Sequence, residues 1–339
     1  MKAKKTIKKK KPLITLVILF IVFELTFTAV TGPFVVYYGP FKNAKNIIVG
    51  SVMTTLTLQW LATTFLSDEK IKEIMDEQTV ETIVQDNVKV ADSDVKVEKK
   101  NDNGIERYDV SGKTFVGYLL VINDPTRIKV GYTSMLYKEG ERTSEIAKNN
   151  NAVAAINGGA FTDRVAGVKW AGTGAMPLGI IMSNGKNIHN DIKDENLKKD
   201  VVALTKSGKL LVGPHSIKEM KDDLVTEAVS FGPALIVNGK KTMKKGNNGS
   251  WGISGRTAIA QRKDGAIMLL VVDGRQVKSL GATLKEVQDL LYDNGAVNAS
   301  NLDGGSSATM VYNDEIINSP SDGLGERAIP SIIYVESRK

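Results

Sequence analysis

Two-residue turn signals recur through the second half of the chain, and they constrain the fold more than any other feature. Asn184-Gly185, Ser207-Gly208, Asn238-Gly239 and Asp264-Gly265 each adjoin short runs of β-type residues. Asn-Gly and Asp-Gly suit type I′ turns, in which both central residues take positive φ. Runs at 180–182 and 187–188 flank the first pair, and runs at 201–204 and 210–212 flank the second. The run at 235–237 leads into the third, and 266–272 follows the fourth. So many hairpins predict largely antiparallel sheet. Helices are few. The clearest covers 283–294, where Thr283 and Glu286 form a capping box, Leu284, Val287 and Leu291 share one face, and Gly295 ends the helix. Another short helix is expected to end over 145–149, before a strand at 152–156. The expected class is α+β: mixed, mainly antiparallel sheets with a few flanking helices.

The amino terminus is different in kind. Seven of the first 11 residues are lysines (Lys2, Lys4, Lys5, Lys8, Lys9, Lys10 and Lys11), and they account for the whole formal net charge of +7. Without them, basic and acidic side chains balance, so no basic nucleic-acid groove is indicated and nucleic acid is not an expected partner. Residues 13–31 follow as an apolar run with one charge, Glu24, and residues 34–38 prolong it past Gly32-Pro33. That length fits a bilayer span of about 20 residues and exceeds the apolar core of a cleaved signal peptide. An uncleaved transmembrane helix at 13–38 is expected, with residues 1–12 as a basic cytoplasmic tail by the positive-inside rule. Glu24 has no visible partner and reads as a tolerated carboxyl. A second stretch, 47–66, is long enough to span but rich in threonine, and Ile48, Val52, Leu56 and Trp60 recur at helical spacing. One span and an outside domain are preferred to two spans and a cytoplasmic domain. Ser67 followed by Asp68 and Glu69 marks a helix start, so 39–103 is expected to hold the second apolar segment, a short helix and a stalk. The remaining domain is expected at 104–339.

The chain has no cysteine, which removes disulfides, thiolate metal sites and a cysteine nucleophile. Its two histidines, His189 and His215, cannot build a three-His site. A repeat of form carries more information. Residues 152–156 run into Asn157-Gly158-Gly159, residues 269–272 into Asp273-Gly274-Arg275, and residues 299–302 into Asp303-Gly304-Gly305-Ser306-Ser307. Each is a buried-looking strand that stops at a carboxamide or carboxylate, where glycine lets the chain turn. Such ends place polar groups where a rigid scaffold meets a loop, and paired glycines can turn successive N–H groups towards an anion. Each pair alone is an ordinary turn former; three together favour a site. Arg256, just before a strand at 258–261, could be a surface arginine or equally a cation that clamps a phosphate through its planar fork.

At these residues the sequence resembles the phosphodiester glycosidases, whose bacterial members are often labelled exopolysaccharide biosynthesis proteins. Ile156-Asn157-Gly158-Gly159-Ala160-Phe161, Gly255-Arg256-Thr257-Ala258, Val272-Asp273-Gly274-Arg275 and Asn301-Leu302-Asp303-Gly304-Gly305-Ser306-Ser307 occur in the family's order. Gly112-x-Thr114-Phe115 with Asp124-Pro125, and Phe231-Gly232-Pro233-Ala234-Leu235, look like its opening and central segments. The resemblance spans about 104–335. It implies hydrolysis of a sugar-1-phosphodiester, such as an N-acetylglucosamine-1-phosphate diester, in extracytoplasmic glycans of wall or capsule. A phosphomonoester leaves easily, so the chemistry needs anion stabilisation and a carboxylate more than a strong acid. Arg256, Arg275 and the Gly304 and Gly305 amides are the expected anion binders. Asp303 is the expected base or nucleophile and Asp273 the second carboxylate. Asn157, Gly158, Gly159 and Ser306 are expected to orient substrate. Asp273 and Asp303 could also hold calcium, but no EF-hand-like spacing accompanies them, so no metal or cofactor is assigned. Trp170 and Trp251 are loop residues that could stack on a sugar or simply pack. The competing expectation is a non-catalytic glycan-binding or assembly protein of the same fold.

Overall fold

Alternation along the strands decides how the layers meet. In the neighbouring strands Val116–Ile122, Ile267–Val272 and Arg256–Arg262, one set of side chains (Leu120, Ile122, Ile259, Ile267, Leu269, Val271) enters the central core. The alternate set (Leu119, Val121, Ala258, Ala260, Met268, Leu270) packs with Leu284, Val287 and Leu291 of a covering helix. Successive residues of a strand face opposite sides, so a sheet covered on both faces is apolar at nearly every position.

The structure is a computed structural model that describes residues 11–55, 58–85, 95–97, 101–163, 173–323 and 325–338. Lysines 2–10, Leu56 and Thr57, most of the charged stretch 86–100, and the Lys169-Trp170 pair lie outside the described residues. The helices are α1 (Lys11–Tyr38), α2 (Lys42–Met53), α3 (Trp60–Thr63), α4 (Asp68–Glu77), α5 (Thr143–Asn149), α6 (Ile217–Asp222) and α7 (Leu284–Asp293). The largest sheet runs Ile105–Ser111, Val116–Ile122, Ile267–Val272, Arg256–Arg262, Ala296–Leu302, Ala234–Val237, Lys240–Lys241. A second runs Leu210–His215, Lys199–Thr205, Val225–Ser230, Ile180–Ser183, Lys186–Asn190. A third runs Glu315–Ile316, Met310–Tyr312, Ala152–Asn157, Ser331–Glu336, Ile128–Tyr132. Pairing within all three is antiparallel. The α+β class is as expected.

The turns behave as their residues dictate, with one distinction. Asn184 and Gly185, and Asn238 and Gly239, all take positive φ, as a type I′ turn requires. In the other two pairs only Gly208 and Gly265 do. Ser207 and Asp264 are poor left-handed residues beside Asn, so these turns take a different geometry. The capping box at Thr283 and Glu286 forms as expected.

Helix α1 is long and apolar enough to cross a membrane, and the side chains of residues 13–30 are exposed. The 47–66 stretch is not one continuous helix: α2 ends at Met53 and α3 starts at Trp60. Val49, Val52, Ala62 and Leu66 instead pack with Tyr37, Ile71 and Ile74. Ser67 caps α4, its hydroxyl accepting from Lys70 N–H at 3.3 Å.

The segment after α4 is not a free stalk where it is described. Gln85 donates to Leu210 O and accepts from Val212 N–H, at 3.3 and 2.7 Å, and Glu81 N–H donates to Thr242 O. Helices α2 and α4 dock on the loop before strand Arg256–Arg262: Ser51 Oγ of α2 accepts from Ile253 N–H at 2.9 Å, and Ser250 Oγ donates to Met75 O of α4 at 2.9 Å. The layer of helices α2 to α4 is therefore fastened to the domain.

Candidate active site

Antiparallel register brings the site together. Arg256 pairs with Val272, and Thr257 with Leu302, so the start of the central strand lies beside the ends of its two neighbours. Arg256, Asp273 and Asp303 thus emerge at one end of the sheet. Strand Ala152–Asn157 of the third sheet arrives at the same place: Asn157 Nδ2 donates to Asp303 O at 2.6 Å, and its Oδ1 accepts from Thr257 Oγ1 at 2.7 Å. Thr309 N–H also donates to that oxygen at 3.2 Å. All three strand-end motifs converge, but the Asn157 carboxamide is spent on joining two sheets rather than left free for substrate.

The glycines serve close packing. A Cβ on Gly274 would stand 2.1 Å from Gly255 N, and one on Gly304 would stand 2.7 Å from Gly255 O. Gly158 is blocked by Ser331 and Gly159 by Val229 and Ser230. Their amides are committed too. Gly158 N–H donates to Ser331 O, Gly159 N–H to Ser331 Oγ, Gly304 N–H to Asp303 Oδ1 and Gly305 N–H to Gly255 O. The Gly304 and Gly305 amides, expected to bind an anion, and Gly158 and Gly159, expected to orient substrate, have donors that already meet acceptors; what these glycines provide is backbone approach.

Arg256 is also more structural than expected. It is buried, and it donates to the carbonyls of Ala282, Trp251 and Gly252 at 3.0, 3.1 and 2.6 Å. Burial, and then the neighbouring charge of Arg275, bring its guanidinium down to about 10. Arg275 is the opposite case. It is exposed, lies over Gly305, and among the described residues has neither hydrogen bond nor ion pair from its side chain. Its φ of +57° is an uncommon backbone state for a non-glycine residue. Such a conformation is retained where surrounding structure holds it, often at functional sites.

Asp303 is the chemically distinctive group. Burial raises its carboxyl from the ordinary 3.8 to about 6, against the pull of Ser307, Arg327 and the Gly304 N–H, while Asp163 adds to the rise. Asp273 is also raised by burial, and its Oδ1 accepts from Asn318 Nδ2 at 3.0 Å and Ser319 N–H at 2.9 Å. Among the described residues no group of three or more His, Asp or Glu could hold a metal ion.

Sequence reasoning missed Arg327 and Asp163. Arg327 donates to Asp163 Oδ2 at 2.5 Å and to Ser306 Oγ at 3.1 Å, and it stands over the Phe161 ring. It is the cation beside Asp303, and it ties Ser306 to the loop after Asn157. A signal existed: Arg327 shortly precedes strand Ser331–Glu336, much as Arg256 stands at the head of its own strand.

Residues 150–336 match the family profile described as phosphodiester glycosidase. The chain belongs to that family. It is 30% identical over 201 residues to bovine N-acetylglucosamine-1-phosphodiester α-N-acetylglucosaminidase, covering 55% of this chain and 36% of the bovine one. It is 39% identical over 80 residues to the SPbeta prophage-derived uncharacterized protein YomE of Bacillus subtilis, covering 24% and 12%. The chain thus spans about a third or less of these relatives' own length. In fold it resembles the zebrafish N-acetylglucosamine-1-phosphodiester α-N-acetylglucosaminidase catalytic domain, auto-inhibited by pro-peptide, with TM-score 0.59 and 24% identity over 72% of this chain and 87% of that one. A putative exported protein of Burkholderia pseudomallei also shares the fold, with TM-score 0.52 and 16% identity over 66% and 74%.

Proposed function

We propose that this protein is a membrane-anchored glycosidase that hydrolyses a sugar-1-phosphodiester outside the cytoplasm, releasing free sugar and a phosphomonoester. Family membership supports glycosidase chemistry, and the single observation that carries the assignment to this site is Asp303: a carboxyl with a pKa near 6 beside the cation of Arg327, with the unpaired Arg275 close by. A base should titrate near its working pH, and cations should meet the charge that develops on the leaving group.

In this reading the phosphodiester sits against Arg275 and Arg327. The anomeric C–O bond breaks, and the phosphomonoester departs with the bonding electron pair without needing a proton. Asp303 takes a proton from the incoming water, whose oxygen becomes the new hydroxyl of the sugar. Asp273, oriented by Asn318 and Ser319, stabilises the positive charge that develops on the ring. Arg256 holds the 251–252 loop and adds positive potential, while Asn157 fixes the backbone of Asp303. An N-acetylglucosamine-1-phosphate diester is the first substrate to try, because the bovine relative's name specifies one.

The test uses the full chain in detergent with N-acetylglucosamine-1-(methyl phosphate) in heavy-oxygen water. Free sugar and methyl phosphate should appear in equal amounts, with the label on the sugar. Label on phosphate, or no release from a panel of sugar-1-phosphodiesters, would refute the assignment. Helix α1 supplies the anchor in this reading, and external protease should reach the domain in intact cells.

A further inference from the structure

A cleft of about 680 Å³ runs past Ala160, next to the Gly158-Gly159 pair, and one of its walls lies outside the family-matched residues. Phe231 and Trp251 meet edge to face there, with ring centres 5.9 Å apart. Asp200 lines the cleft and, among the described residues, makes neither hydrogen bond nor ion pair. The far wall is built from Val80 and Thr82, part of the segment after α4. Three links join the cleft to the reacting centre. Arg256 donates to the Trp251 carbonyl, Asn301 Nδ2 donates to the Gly232 carbonyl at 3.3 Å, and Ala160 follows the Gly158-Gly159 pair on which Asp303 rests.

We infer that this cleft is the subsite for the sugar ring of the substrate, and that the segment after α4 completes it. This rests on the hydrolase reading above. The chemistry suits a neutral, hydroxylated ring. Aromatic faces take the apolar side of a pyranose, and an uncommitted carboxylate accepts from ring hydroxyls. The cation that suits phosphate, Arg275, is not among the lining residues, and the one basic side chain that lines the cleft, Lys199, is exposed at its rim. The volume falls in the range of small-ligand sites. The loop bearing Trp251 is braced from behind by α2, where Gly50 lets the helix approach Ser250 O and Gly252 N. The layer of helices α2 to α4 therefore sets the position of one wall, and the segment after it forms another.

The experiment is equilibrium binding of glucose, galactose, mannose and N-acetylglucosamine to the full chain in detergent, followed by tryptophan emission and by calorimetry. Thr82→Phe fills the cleft from its exposed wall and leaves every described hydrogen bond in place. At least one sugar should bind, and Thr82→Phe should weaken it at least 10-fold with an unchanged melting temperature. Trp251→Phe should abolish the emission change. Failure of every sugar to bind the wild-type chain, or binding that Thr82→Phe leaves within twofold, overturns the inference. Binding that follows the expected pattern without hydrolysis supports the subsite and counts against the hydrolase reading alone. Hydrolysis whose KM is indifferent to Thr82→Phe does the reverse.

Discussion

Replacing Asp303 with asparagine separates the catalytic reading from a merely structural one, because the two predict opposite changes in stability. The carboxyl sits at about 6 instead of 3.8, chiefly through burial. A carboxyl raised in the folded state stabilises the fold fully below its unfolded value, and that contribution is lost as pH rises through the folded value. At pH 7.5 the ionised group therefore costs about 3 kcal/mol, at about 1.4 kcal/mol for each pH unit of the rise. Asparagine carries no charge and keeps an oxygen to accept from Gly304 N–H. Asp303→Asn should therefore raise the melting temperature at pH 7.5 by about 5 °C or more, on the scale of 2–4 °C per kcal/mol for a chain of this size. The gain should shrink as pH falls through 6 and vanish near pH 4. Over the same range wild-type kcat/KM should rise with pH, half-maximal near 6 and level about one pH unit higher, and the variant should lose at least about 1000-fold and show no such limb. Thermal melts at four pH values and sugar release on the full chain are sufficient. A variant that keeps more than a tenth of wild-type activity, or that melts lower than wild type at pH 7.5, would refute the role given to Asp303.

Arg275→Ala retains the Cβ and the left-handed backbone, so its stability should stay within about 0.5 kcal/mol while kcat falls about 100- to 1000-fold, as for loss of one transition-state charge contact. Gly274→Ala drives a methyl to 2.1 Å from Gly255 N, a backbone atom that cannot swing away; unfolding by heat should come earlier by about 6 °C or more, for about 3 kcal/mol of overpacking. Asp124 is fully buried and accepts from Thr126, Arg338 and the Asn101 N–H. Burial pushes its carboxyl up, but these donors outweigh it and the net direction is down. Its contribution is present above the ordinary aspartate value and lost as pH falls through the folded one. Asp124→Ala should cost about 3 kcal/mol at neutral pH, and the gap from wild type in melts should narrow below pH 3.

What the sequence disclosed was whatever depends on neighbours along the chain. Turn residues, strand ends and the Thr283 cap act within a few positions, so the antiparallel class and the three motif ends were legible. Their convergence follows from register, because a hairpin returns the end of Ile267–Val272 to the start of Arg256–Arg262. The use of the motif residues was not legible. Whether the Gly304 amide faces a phosphate or its own neighbour's carboxylate depends on the path of the loop, and here it takes Asp303. Asn157 looked free until a threonine 100 residues away took its oxygen. The Asp163–Arg327 pair is separated by 164 positions, with no period or spacing to join them. Only the recurrence of an arginine near the head of a strand could have raised Arg327 beside Arg256. That recurrence has a physical basis: the start of a strand in an antiparallel sheet lies beside the ends of its neighbours, which lead into Asp273 and Asp303 for Arg256, while the strand after Arg327 starts beside the end of Ala152–Asn157, whose Asn157 holds the Asp303 backbone. A guanidinium placed there meets acids contributed by other strands. The two arginines then divide the work by burial. Arg256 is fixed on carbonyls as a brace, and Arg327, with its side chain 29% exposed, keeps an edge open to the site.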